Sequence, residues 1–140
     1  MHVSFALFAD AANLSQEGKL NILGVFDAVQ VATLPAVHPR AHLVVRLKGT
    51  RHDVGVHTMS LHWINPSGVE LWSSEGQIEI TPLPPAVMEM DLPVIAPLDL
   101  PLDEPGDYVM RIALNNEPHA DVKLQVRPAP PLAPASRLVS

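Results

Sequence analysis

Asp10 to Asp27, DAANLSQEGKLNILGVFD, is the stretch on which the reading of this chain turns. Residues 2–9, HVSFALFA, precede it, and residues 20–26, LNILGVF, lie inside it. Both runs are short, apolar and free of proline, which reads as strand. Both place apolar side chains at odd and even positions: Phe5 and Leu7 against Ala6 and Phe8, then Ile22 and Phe26 against Leu23 and Val25. A strand that is apolar on both sides is covered on both faces or buried in a contact. Between the runs lie Asp10, Asn13, Ser15 and Gly18. Asp, Asn and Ser bond nearby backbone amides, and Gly accepts positive φ. The connection therefore turns the chain and fixes strand register, and Asp27 closes it.

Working outward, period-two patterning continues. Ala41, Leu43, Val45 and Leu47 alternate with polar neighbours, as do Met59, Leu61 and Trp63. Each set predicts a half-buried strand. Thr33–Pro39 reads as a connector and Gly49–Gly55 as a polar loop. Asn65-Pro-Ser-Gly68 has the residues of a type I turn. It leads into a strand from Val69 to Trp72, with a second strand or bulged continuation at Gln77–Thr81. Met88, Met90 and Leu92 predict a further strand, and the Pro-rich run Pro93–Pro101 an edge or crossover. Pro105-Gly106 suggests a type II turn, after which Tyr108, Met110, Ile112 and Leu114 point one way. Asn115–Pro118 is a hairpin loop, and Ala120, Val122, Leu124 and Val126 face inward from the last strand.

Two resemblances follow. The pattern F-A-L-F-A-D-x-x-N-x-S-x-x-G-K-L-N-I-L-G-V-F-D, with PAVHP at 35–39 and PGDY at 105–108, resembles an uncharacterised bacterial family of small proteins. That likeness covers roughly residues 1–126 and implies no catalytic residue. Glu104, Gly106 and Tyr108, with Met110 two residues on, are similar to the tyrosine corner of immunoglobulin-like sandwiches. The likeness implies that the Tyr108 hydroxyl bonds backbone upstream and that Trp63 is the core tryptophan. It departs from the pattern in having no disulfide, Glu in place of the usual Asp, and an extra N-terminal hairpin.

The fold expected is all-β: an immunoglobulin-like antiparallel β-sandwich of about seven to nine strands. It occupies residues 1–126, and a Pro/Ala-rich tail follows over 127–140, RPAPPLAPASRLVS. The tail reads as extended and solvated, or as an arm docking on a neighbour through Leu132, Leu138 and Val139.

Bulk properties narrow the function. The formal charge is −6, from 15 acids against 9 bases, which argues against a nucleic-acid surface. Arg40, Arg46, Lys48 and Arg51 form a local basic group that reads as a solvated strand face. No run of roughly 20 apolar residues spans a bilayer, and the N-terminus lacks a cationic leader. With no cysteine, the expectation is a reducing, cytoplasmic setting. Seven histidines raise a metal. His38 and His42 are separated by Pro39, and His57 and His62 fall on opposite faces of one strand, so no metal or cofactor site is assigned. There is no G-x-S-x-G elbow and no phosphate loop, so no catalytic residue is assigned. Asp10 and Asp27 could approach each other across a hairpin and divide acid and base roles, although solvated turn residues are the commoner reading. The sequence thus favours a non-enzymatic protein-interaction or self-assembly module whose partner is another protein or itself. A small-ligand or metal-binding domain using loop His and Asp residues is the alternative.

Overall fold

A computed structural model describes residues 1–130. Among these residues the chain forms nine strands in two sheets. Sheet A contains β1 (His2–Leu14), β2 (Leu20–Phe26), β4 (Ala36–Gly49) and β7 (Met90–Leu102), in the order β2-β1-β4-β7. Sheet B contains β3 (Ala28–Val31), β5 (Gly55–Ile64), β6 (Glu70–Ile80), β8 (Gly106–Leu114) and β9 (Glu117–Pro128), in the order β3-β9-β8-β5-β6. This is the immunoglobulin-like arrangement expected. β4 lies beside β7 in one sheet, while β5, β8 and β9 are neighbours in the other.

The alternating residues close the space between the sheets. Ala41, Leu43, Val45 and Leu47 from β4 are buried there, as are Met59, Leu61 and Trp63 from β5. Tyr108, Met110, Ile112 and Leu114 from β8 join them, with Val122, Leu124 and Val126 from β9. Trp63 is the core tryptophan. Its ring stacks on Tyr108 at 5.1 Å and meets Phe8 edge-on at 6.0 Å. The Trp63 indole N–H donates to the Pro101 carbonyl at 2.8 Å, so burial leaves no orphan donor.

The tyrosine corner is built as the resemblance implies. The Tyr108 hydroxyl accepts from the backbone amides of Asp103 (2.8 Å) and Glu104 (2.9 Å), and lies 2.7 Å from the Asp103 carboxylate. Those bonds explain the spacing: the hydroxyl reaches back four and five residues. Asp103 is held below the usual carboxylate range, first by the Tyr108 hydroxyl and then by the Asn65 amide. Burial pushes the Tyr108 phenol up. Gly106 sits at φ +130°, and a Cβ there would come within 2.9 Å of the Pro66 ring. Only glycine fits that crossing of two loops. Gly106 therefore opens β8 itself, and residues 104–105 form a bend rather than the type II turn suggested by Pro-Gly.

Several boundaries differ from the sequence reading. The four residues of β3 are too few to show a period in sequence, and β3 runs parallel to β9, the one parallel pair among the described residues. β4 begins at Ala36, inside the segment read as a connector, and a bulge between His38 and Ala41 absorbs Arg40 at φ +52°. The Gly49–Gly55 loop contains a short 3-10 turn, Arg51–Asp53, capped by Thr50. β6 is a single strand from Glu70 to Ile80, because its pairing with β5 continues through Ser73, Ser74 and Gly76. Met88 lies before β7 and is 79% exposed, so it is not a strand residue of the core. Arg127 and Pro128, read as tail, complete β9, because β3 pairs with them.

Candidate functional site in the N-terminal hairpin

The hairpin β1–β2 is assembled from its own polar residues. At the turn, the Ser15 amide donates to the Lys19 carbonyl at 2.8 Å and the Gly18 amide to the Ser15 carbonyl at 2.9 Å. The Lys19 amide donates to Ser15 Oγ at 3.0 Å. Gly18 adopts φ +82°. One step along the ladder, Asn21 Nδ2 donates to Asn13 Oδ1 at 2.9 Å, in the pair Asn13↔Asn21. Further along, Asp10 lies across from Gly24, which adopts φ +68°. A Cβ on Gly24 would stand 2.3 Å from Asp10 Oδ2, so the Asp10 side chain would have to move aside. Ser15 thus bonds a nearby backbone amide and Gly18 supplies the positive φ, whereas Asn13 bonds the Asn21 side chain and Asp10 lies against Gly24.

The register keeps Asp10 and Asp27 apart. Phe8 faces Phe26 and Ala9 faces Val25, so Asp27 lies three residues along β2 from the position opposite Asp10. That is about 10 Å of strand. The backbone carbonyl of Asp27 accepts from the Gln125 amide at 2.8 Å, which ties the hairpin exit to β9. The two carboxylates form no pair that could share a proton.

One side of the hairpin is packed and the other is open. Phe8 is buried between the sheets and stacks on Phe26 at 6.0 Å, while Ala12, Leu20 and Ile22 farther along the hairpin are half-buried. On the side opposite Ile22, Leu23 is 71% and Val25 is 61% exposed; Leu14, paired with Leu20 near the tip, is 47% exposed. The tip approaches the outer face of sheet A. Gly18, Leu20 and Ile22 share a cavity of about 390 Å³ with Phe5, Arg46 and Pro93. On that outer face Ala9 and Val44 are fully buried although they stand outside the core between the sheets. The doubly apolar pattern of β1 thus has its cause in a second covered face.

Charge does not distinguish the site. Arg46 Nε donates to both Asp91 oxygens at 2.8 and 2.9 Å, and Lys48 Nζ lies 3.7 Å from Asp91. The Arg46 hydrogen bonds hold the Asp91 carboxyl below its ordinary range. Arg51 donates to the Pro85 carbonyl at 2.5 Å, and the Arg40 amide donates to Asp99 Oδ1 at 3.0 Å. Arg46 and Lys48 thus share Asp91, while Arg51 is engaged elsewhere and Arg40 is held through its backbone amide.

The histidines are also separate. His57 Nε2 is 2.6 Å from the Asp53 carbonyl and its Nδ1 is 2.9 Å from Asn115 Nδ2. His42 Nδ1 is 3.1 Å from the Arg40 carbonyl. Among the described residues no three His, Cys, Asp or Glu side chains are grouped to hold a metal, and no helix is long and apolar enough to cross a membrane. Leu132, Leu138 and Val139 lie outside the described residues. The sequence reading missed the company His62 keeps. Ser60 and His62 share one face of β5, and Glu70 follows across the turn. The i, i+2 spacing was a legible signal, but the partner depended on β5–β6 register.

A family model described as "Family of unknown function (DUF6941)" matches residues 4–127. No curated protein matches the chain. Among solved structures, one described as an immunoglobulin-like protein from Pseudomonas aeruginosa is 13% identical, covers 90% of this chain and 95% of that chain, and aligns with a TM-score of 0.38. The sandwich assignment rests on the two sheets of this chain and their register.

Proposed function

We propose, for a chain that belongs to the DUF6941 family of unknown function, that it is an association module whose contact is the free edge of β2, and that the partner is a second copy of itself. The observation that carries this reading is a contrast among the four sheet edges left unpaired among the described residues. β7 carries Pro93, Pro97 and Pro101. β6 carries Glu70, Glu75 and Glu79. β3 is four residues long. Short length, charge and proline are the devices that stop a strand from recruiting another. β2, LNILGVF, has none of the charge or proline, and it places Leu23 and Val25 in solvent.

Two β2 edges paired antiparallel across a twofold axis would extend sheet A and bury those side chains against their copies. The turn bonds of Ser15 and Asn13 support this reading, because a ribbon held in register loses less entropy on docking. The cysteine-free sequence supports a reducing, cytoplasmic setting. Light scattering on the purified protein tests the reading. A particle of about twice the 15.2 kDa chain mass is expected. A monomer at millimolar concentration would overturn self-association.

A further inference from the structure

Away from the hairpin, on the outer face of sheet B, three side chains stand in a hydrogen-bonded row. His62 Nδ1 is 2.5 Å from Glu70 Oε1, and His62 Nε2 is 3.2 Å from Ser60 Oγ. The order matters. A carboxylate on Nδ1 holds the proton there and leaves the Nε2 lone pair facing the hydroxyl, which is the arrangement that activates a serine. Ser60 is only 6% exposed, yet it lines a surface cavity of about 340 Å³ together with His62, Arg111, Ala113, Asn116 and Pro118. That volume is at the lower end for small-molecule sites.

From this geometry we infer that Ser60, His62 and Glu70 form a second site, which hydrolyses small carboxylic esters by acyl transfer to Ser60. Ser60 Oγ bonds to the ester carbonyl carbon while its proton passes to His62 Nε2. The tetrahedral adduct expels the alkoxide, which takes that proton and leaves as alcohol, so that an acyl ester remains on Ser60. Water then adds to the acyl carbon and gives its proton to Nε2. Ser60 Oγ departs with that proton, and the carboxylic acid is released.

Backbone amides of a sheet interior are spent on the ladder, so the developing oxyanion needs side-chain donors. Arg111, which faces His62 across the β5–β8 pair, and Asn116 line the same cavity and supply N–H groups. Arg111 is oriented by Asp121, 3.2 Å from its Nε. Ala113 and Pro118 give the apolar wall against which a short acyl chain rests. Glu70 is a positioning residue: it acts through His62 and touches no substrate.

The test uses the full chain with a fluorophosphonate probe and p-nitrophenyl acetate. Peptide mass mapping is expected to find the phosphonyl group on Ser60, and the acetate ester to release p-nitrophenol in a burst. Ser60→Ala should abolish both, and His62→Gln should slow labelling by about a hundredfold. Glu70→Gln should lower kcat at least about tenfold with KM and the melting temperature unchanged. A folded, unsubstituted protein that takes up no probe on Ser60 would overturn the assignment. So would p-nitrophenol release that persists in Ser60→Ala. Mapping on the unsubstituted protein decides the matter even if a variant fails to fold.

Discussion

The two free edges of sheet A, β2 and β7, are made of opposite materials. β7 pairs with β4 along its length, and Pro93, Pro97 and Pro101 are spaced four apart in it. Even spacing puts all three nitrogens on the same side of the strand. The β4 ladder runs through all three, so that side is the free one, and an incoming strand finds donors missing there. Asp91 and Asp99 add charge at two further positions. β2 carries no charge and no proline, and it projects Leu23 and Val25 on either side of Gly24. Within one sheet, one edge is closed to pairing and the other is left open. An open edge is an aggregation hazard, and this contrast between the two edges is what the proposed contact at β2 rests on.

The contrast can be broken most directly at β2. Leu23→Lys combined with Val25→Lys should weaken self-association by about 3 kcal/mol, roughly a hundredfold in Kd, read by sedimentation at a series of concentrations. An unchanged dimer would move the contact elsewhere. Next in size is the hairpin itself. Gly24→Ala forces a Cβ into Asp10 Oδ2 at a left-handed φ and should cost about 2 kcal/mol in urea unfolding. Adding Asp10→Ala should recover part of that loss by removing the clash, leaving the backbone strain. A non-recovering double variant would show that φ alone holds the position.

At the guarded edge, Pro97→Thr restores a missing donor and should raise the tendency to associate by less than about 1 kcal/mol, since two neighbouring prolines remain. The smallest effect concerns charge. Arg46 holds the Asp91 carboxyl below its ordinary range. Asp91 therefore adds stability that is fully present above about pH 4 and is lost as pH falls through its lowered folded value. Asp91→Asn should flatten the acid side of the stability curve and leave association at β2 unchanged. A variant with the same acid slope would remove Asp91 from the account.

The strands of the core were legible because each carries a period of two that no helix shares. Alternation turned Trp63 and Tyr108 inward, and the likeness to a tyrosine corner implied their roles. The hairpin residues Ser15 and Gly18 were legible as turn chemistry, since they act within a few residues of themselves. The partners of Asp10 and Glu70 were not. Asp10 meets Gly24 only through the register of β1 on β2, and His62 meets Glu70 only through the way β5 and β6 align around a bulge between Trp63 and Ile64. β3 was invisible because four residues, AVQV, owe their strand state to β9.

Local sequence determined the class of this protein: alternating apolar residues, cut by proline and turn residues, can bury their apolar sides only as stacked sheets. It also determined that the hairpin closes at Ser15–Lys19, because those bonds are made within a five-residue span. Tertiary structure alone decided which strands became edges, that β2 was left unguarded while β7 was sealed, and that Ser60, His62 and Glu70 fell into line. Those outcomes depend on which strand lies beside which and in what register. That choice is settled by packing between residues far apart in the chain, and it leaves no mark in any short stretch of it.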